Sequence, residues 1–94
     1  MAGPSPGGTG ATPDPATVRR LQWRCRRGMR ELDRLFERRL QRLVDTSDGP
    51  GLARFERLLD CEDDRLWRWC LGHERPADAD LALEIDAVRA DPPA

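Results

Sequence analysis

Trp23-Arg-Cys-Arg-Arg-Gly-Met-Arg-Glu-Leu-Asp33 gathers the most varied chemistry in this chain: four arginines, a thiol, two carboxylates and a glycine. Arginines at this density neutralise phosphates or pair with carboxylates. Glu31 as a general base would need a raised pKa inside a dry cleft, which a basic loop broken by glycine does not suggest. His73, the single histidine, follows Gly72 at an expected helix end. It is expected to be exposed, with no nucleophile or acid to work with. Cys25, Cys61 and Cys70 are odd in number and lack Cys-x-x-Cys spacing, so buried free thiols are expected rather than a disulfide framework or zinc site. No Gly-x-Gly-x-x-Gly opens a helix after a strand, and no stably bound cofactor or metal is expected. Catalysis by this chain itself is the least supported reading.

Gly28 admits two readings. It can end a helix in a left-handed conformation, or its missing side chain can let another backbone approach closely. Glu31 falls in the first turn of the helix that follows, where a carboxylate is stabilised by about 0.3–1 kcal/mol. Arg27 lies four residues before it, but the intervening glycine interrupts the helix on which an i, i+4 pair depends.

These residues must be positioned by helices. Val18, Leu21 and Cys25 mark one face of a first helix, from Pro15 to near Arg27. Met29, Leu32, Leu35, Phe36, Leu40, Leu43 and Val44 define the longest. Thr46-Ser-Asp-Gly-Pro-Gly51 reads as the turn before a third, which carries Leu52, Phe55, Leu58 and Leu59. Acids from Asp60 to Asp64 suit the start of a fourth, capped at its far end by Gly72. Pro76 and Asp78 precede a fifth bearing Leu81, Ile85 and Val88, stopped by Pro92-Pro93. Period-two alternation is missing, so the fold class is all-α, a compact five-helix bundle-like single domain. Trp67 and Trp69 are two apart and face different sides, so one should reach the surface, as a partner anchor or partly covered by the last helix.

With 94 residues, 38% hydrophobic and 35% charged, the chain forms one small core and leaves little interior for a substrate. Work on a partner's surface is favoured. Residues 1–15, with four prolines and four glycines, read as a disordered tail; 16–90 form the helical domain and 91–94 a short C-terminal tail. Apolar runs fall far short of the roughly 20 residues that cross a bilayer, and the opening residues lack secretory or transit features. A bacterial cytoplasmic protein without membrane insertion is expected. All 16 basic residues are arginine: ten stand against three acids in residues 15–42, and six against thirteen from residue 43 onward. Either a partner of matching polarity or pairing between the two halves would use this division.

Arg27-Gly28-Met29-Arg30-Glu31 resembles the Arg-Gly-x-x-Glu signature of the succinate dehydrogenase flavinylation (FAD assembly) factors. A second block, Phe55 to Leu81, is similar to the rest of that family: a Leu-Leu pair, an acidic turn, a Trp-bearing helix, then Pro-Ala-Asp. The resemblance spans about residues 18–89 in order and spacing. It departs at Asp48-Gly-Pro-Gly51, which replaces charged helix-opening residues and puts the start of the third helix in question.

The resemblance implies a five-helix chaperone that binds the flavoprotein subunit of succinate dehydrogenase, fumarate reductase or both. It promotes covalent FAD attachment to a partner histidine without being the catalyst. Arg27, Gly28 and Glu31 are then the partner-binding residues, with Arg26, Met29, Arg30 and Asp33 around them; FAD belongs to the partner, and the factor is a monomer. An antitoxin-type interaction module and an RNA-binding protein using the basic first helix are the alternatives, although nucleic acid is not the expected partner.

Overall fold

Each run in which apolar residues return every three or four positions folds as an α-helix. The computed structural model describes residues 14–90, which hold five: α1 (Pro15–Arg24), α2 (Arg30–Asp45), α3 (Gly49–Leu59), α4 (Asp63–Leu71) and α5 (Ala79–Ala90). The described residues contain no strand, in keeping with the all-α expectation. Of the expected N-terminal tail only Asp14 and Pro15 are described, as the cap and first residue of α1. The C-terminal tail, with the stop at Pro92-Pro93, lies outside the described residues.

The buried face of α2, Leu32, Phe36, Leu40 and Leu43, organises the core. Leu21 and Cys25 pack against it from α1 and its end, and Phe55, Leu58 and Leu59 from α3. Leu66 and Trp69 of α4 and Ile85 and Val88 of α5 complete the cluster. Phe36 and Phe55 meet edge to face at 5.9 Å, an arrangement worth about 0.5–1.5 kcal/mol beyond its buried area. None of the five helices is long and apolar enough to cross a membrane.

Four element ends show how local bonding sets the helix boundaries. α1 stops at Arg24, three residues before the expected end near Arg27, because Cys25 and Arg26 tighten the last turn by bonding to Gln22 and Trp23 carbonyls. α2 closes with Asp48 N–H on the Leu43 carbonyl and Ser47 N–H on that of Val44, placing Ser47 at φ +51° in the left-handed region. α3 then begins at Gly49, so Gly-Pro-Gly is its first turn rather than a separating turn. Asp48 caps it by accepting from Gly51 N–H at 2.9 Å, and Pro50 sits where a helix tolerates proline. Gly51 is buried where a Cβ would come within 2.5 Å of Leu43. Gly72 ends α4 at φ +81°, as expected.

The division of charge is used mainly inside the fold. Arg20, Arg24 and Arg27 pair with Glu56, Asp60 and Asp63, tying α1 and its following loop to α3 and α4. A less legible pairing lies deeper: Glu84 of α5 is fully buried, held by Arg39 at 2.6 and 3.2 Å, with Arg54 Nε 3.6 Å away.

Candidate functional site

Cys25–Met29 forms the loop between α1 and α2, and Arg27 holds it from within. Its Nε donates to Asp63 at 2.7 Å, one terminal nitrogen to the Arg24 carbonyl at 3.0 Å, and the other to the Leu59 and Cys61 carbonyls, each at 2.8 Å. Arg24 and Leu59 are the last residues of α1 and α3, so one guanidinium satisfies carbonyls at two helix C-termini, where a cation is also favoured by the dipole. Only 14% of the Arg27 side chain is exposed.

Asp33 closes the loop from the α2 side. Its carboxylate accepts from Arg27 N–H at 2.8 Å and Gly28 N–H at 3.2 Å. Gly28 sits at φ +87°, and a Cβ added there would meet nothing within 4 Å. The position therefore needs glycine for its backbone angle, but Gly28 does not end α1 as a cap glycine, because the helix already stops at Arg24 with Cys25 as its cap; the space above Gly28 is open. Met29 is partly buried against the core. Arg26 lies over the Trp23 ring at 5.2 Å and 3.8 Å from Glu37. Arg30 and Glu31 are exposed.

Thus the seven expected residues are neighbours, but they divide. Arg27 and Asp33 spend their polar atoms on the loop, Met29 turns toward the core, and Arg26, Gly28, Arg30 and Glu31 are exposed, Arg26 lying over Trp23. Gly28, Arg30 and Asp33 line a shallow hollow of about 470 Å³ with Arg34 and Glu37. Glu31 and Arg34 border a second, of about 350 Å³, whose apolar part is Leu35, Trp67 and Leu71. Trp67 is half-buried there and Trp69 is in the core. The largely exposed tryptophan is Trp23.

Little here can act as a nucleophile. Cys25 alone is fully buried; Cys61 and Cys70, expected in the interior, are half-buried, because each lies at the edge of the cluster. Burial, with Glu37 adding to it, pushes the Cys25 thiol up to about 12, and burial pushes Cys70 to about 11 and raises Cys61. All three are protonated thiols at neutral pH. His73 is exposed. Among the described residues no group of three or more His, Cys, Asp or Glu could hold a metal.

Reading the sequence did not find Asp63 as the partner of Arg27, nor the basic rim that Arg34 and Arg38 give the second hollow. The three pairs Arg20–Glu56, Arg24–Asp60 and Arg27–Asp63 share a separation of 36 residues. Without the packing angle of α1 on α3, that regularity has no meaning in the sequence.

Residues 19–91 match the protein family described as "Flavinator of succinate dehydrogenase". The chain is 48% identical over 79 residues to the protein named FAD assembly factor SdhE of Xylella fastidiosa (strain 9a5c), covering 84% of this chain and 81% of that one. It is 41% identical over 82 residues to the protein of the same name from Pseudomonas aeruginosa, covering 83% and 98%, and 45% identical over 67 residues to that of Idiomarina loihiensis, covering 71% and 74%. No solved structure matches the chain.

Proposed function

The chain belongs to the family of succinate dehydrogenase flavinators, and on that footing we propose that it binds the flavoprotein subunit of succinate dehydrogenase and promotes covalent attachment of FAD. The observation that carries the reading is the loop built around Arg27. A guanidinium and a carboxylate are both committed to holding five residues, and what they leave exposed includes Gly28, Arg30 and Glu31.

In this reading Gly28 and Glu31 make the contact. The open space over Gly28 lets a partner's backbone come close, and Glu31 offers an exposed carboxylate. Arg27 and Asp33 act one step back, keeping that surface in shape; Arg26, Met29 and Arg30 flank it. The bond formed belongs to the partner, between one of its histidines and the flavin ring, and FAD stays with it. The factor contributes geometry: it binds the attachment-competent conformation of the flavoprotein better than others and so raises its population. Holding histidine and flavin in reacting geometry can remove several kcal/mol from such a barrier. The protonated thiols and the exposed position of Glu31 support a factor that is not itself the catalyst. The proposal places it in the bacterial cytoplasm as a monomer and extends to the flavoprotein of fumarate reductase.

RNA binding through α1 has less support, because Arg20, Arg24 and Arg27 engage carboxylates of this same chain. An antitoxin-type role would use the same outward face and differs only in which protein is bound.

The test is in-gel flavin fluorescence of the denatured flavoprotein subunit, from cells lacking this factor, carrying it, or carrying Glu31→Ala at equal folded abundance. Fluorescence that depends on the wild type and falls with Glu31→Ala is the expected result. Equal fluorescence in all three removes flavinylation as the function.

A further inference from the structure

Several arginines of this fold lie beyond ion-pair distance of any carboxylate among the described residues, and three of them share one helix face. Arg30, Arg34 and Arg38 recur every four residues along α2, on one side of the helix, and none has a carboxylate within ion-pair distance among the described residues. Two of the three, Arg34 and Arg38, border the hollow that α2 forms with α4 and the end of α5, and Arg89 borders it from α5. Its floor is apolar: Leu35 and Trp67 are half-buried, and Leu71 is 45% exposed. Cys70 completes that floor.

Resting on the proposed function, we propose that this hollow is a second docking site for the flavoprotein subunit. It takes an acidic segment that lays an apolar side chain on Trp67, Leu35 and Leu71 and directs carboxylates to Arg34 and Arg38. Three arguments select that occupant. Cations without partners around an apolar floor call for an anionic, amphipathic ligand. Arginine forks bind carboxylates in pairs, and a tryptophan within a ring of charged groups has the make-up of an interface anchor. Glu31 borders the same hollow, so the surface continues from the signature loop without a break. A second copy of this chain seated there would cover Glu31, which the flavoprotein contact needs.

The hollow also explains an asymmetry of α4. Leu66 and Trp69 face the core, yet the helix keeps Trp67 and Leu71 on its other flank, where a chain needing only stability would place polar residues. An apolar flank left half-covered is a surface prepared for a partner.

The experiment is equilibrium binding of the purified full chain to purified flavoprotein subunit that has not yet been flavinylated, at two salt concentrations. The variants are Arg38→Glu, Arg38→Lys, Leu71→Ala and Glu31→Ala. Arg65→Glu, on an exposed arginine of α4 that does not line the hollow, matches the charge change. Arg38→Glu is expected to weaken binding about tenfold or more and to reduce the salt dependence, with Arg38→Lys recovering most of it and Arg65→Glu within about twofold of wild type. Leu71→Ala is expected to weaken binding about threefold to tenfold by losing apolar contact. Sedimentation of each variant alone checks self-association.

If Glu31→Ala weakens binding while Arg38→Glu and Leu71→Ala bind as wild type does, the second docking site is refuted and the proposed function stands. If Arg38→Glu instead converts a self-associating protein to monomer without changing flavoprotein binding, the occupant is a second copy and the proposal is overturned. If wild type binds no flavoprotein at all, both readings fall together.

Discussion

Replacing Arg27 separates holding the signature loop from touching the partner. Arg27→Ala strips the carbonyls of Arg24, Leu59 and Cys61 and the carboxylate of Asp63 of their donors at once. Hydrogen bonds to a charged group contribute about 1.5–3 kcal/mol each, but water reaches part of this cluster and the guanidinium's desolvation offsets much of the gain, so a net loss of about 3 kcal/mol is expected. At about 4–8 °C per kcal/mol for a domain of this size, the midpoint should fall by about 12–24 °C. Arg27→Lys keeps the charge but not the fork that reaches two helix ends, and should lose about 2 kcal/mol. Asp63→Asn removes only the ion pair, on a side chain 43% exposed, and should cost about 1 kcal/mol or less.

The assay is thermal and urea unfolding followed by helical circular dichroism, with in-gel flavin fluorescence measured on the same proteins below their midpoints. The expected order of loss is Arg27→Ala, then Arg27→Lys, then Asp63→Asn, and flavinylation should fall in that order. Glu31→Ala removes only a first-turn carboxylate, so it should lower the midpoint by no more than a few degrees and still reduce the fluorescence. An Arg27→Ala protein melting within about 3 °C of wild type would show that the loop stands without its guanidinium. Asp63→Asn as damaging as Arg27→Ala would show that the ion pair, not the helix-end carbonyls, is what Arg27 supplies.

Two further outcomes follow from the fold. Ser47 occupies a left-handed position at φ +51° in the motif that ends α2; Ser47→Gly should stabilise the protein by about 0.5–1 kcal/mol in urea unfolding, and destabilisation would contradict that geometry. The thiols of Cys25 and Cys70 are raised from 9.0 to about 12 and about 11, so between pH 9 and 11 the folded state keeps protons that the unfolded state has released. Their contribution is therefore complete below pH 9 and lost as pH rises through the folded values. Unfolding in reductant should show stability falling from pH 8.5 to 11, and Cys25→Ala should flatten that slope; an unchanged slope would refute the assignment.

The loop and the charge division are two views of one arrangement. A basic first half and an acidic second half suggest a polar partner when read as composition. In the fold, α1 and its following loop spend Arg20, Arg24 and Arg27 on α3 and α4, which leaves the signature loop anchored, while Arg30, Arg34 and Arg38 of α2 have no carboxylate at ion-pair distance among the described residues.

Helix number and type among the described residues, the turn at Gly72 and the exposure of His73 could all be read from residue order. They depend on the 3.6-residue period and on caps, both of which act within a few positions of the chain. Where α1 ends could not be read so, because Arg27 leaves the helix in order to reach Asp63 and the end of α3, 32 to 36 residues away. The role of Gly-Pro-Gly at 49–51 was equally hidden, since turn chemistry and a helix's first turn accept the same residues, and the choice fell to the fit of Gly51 against Leu43. The clearest reversal is on α5. Leu83 is 53% exposed while its neighbour Glu84 is fully buried. Hydropathy alone orders them the other way. Arg39 and Arg54 converge there from two other helices, and a carboxylate between two guanidiniums is stable in an interior where a lone one is not. Only the packing of three helices could supply that neighbour set.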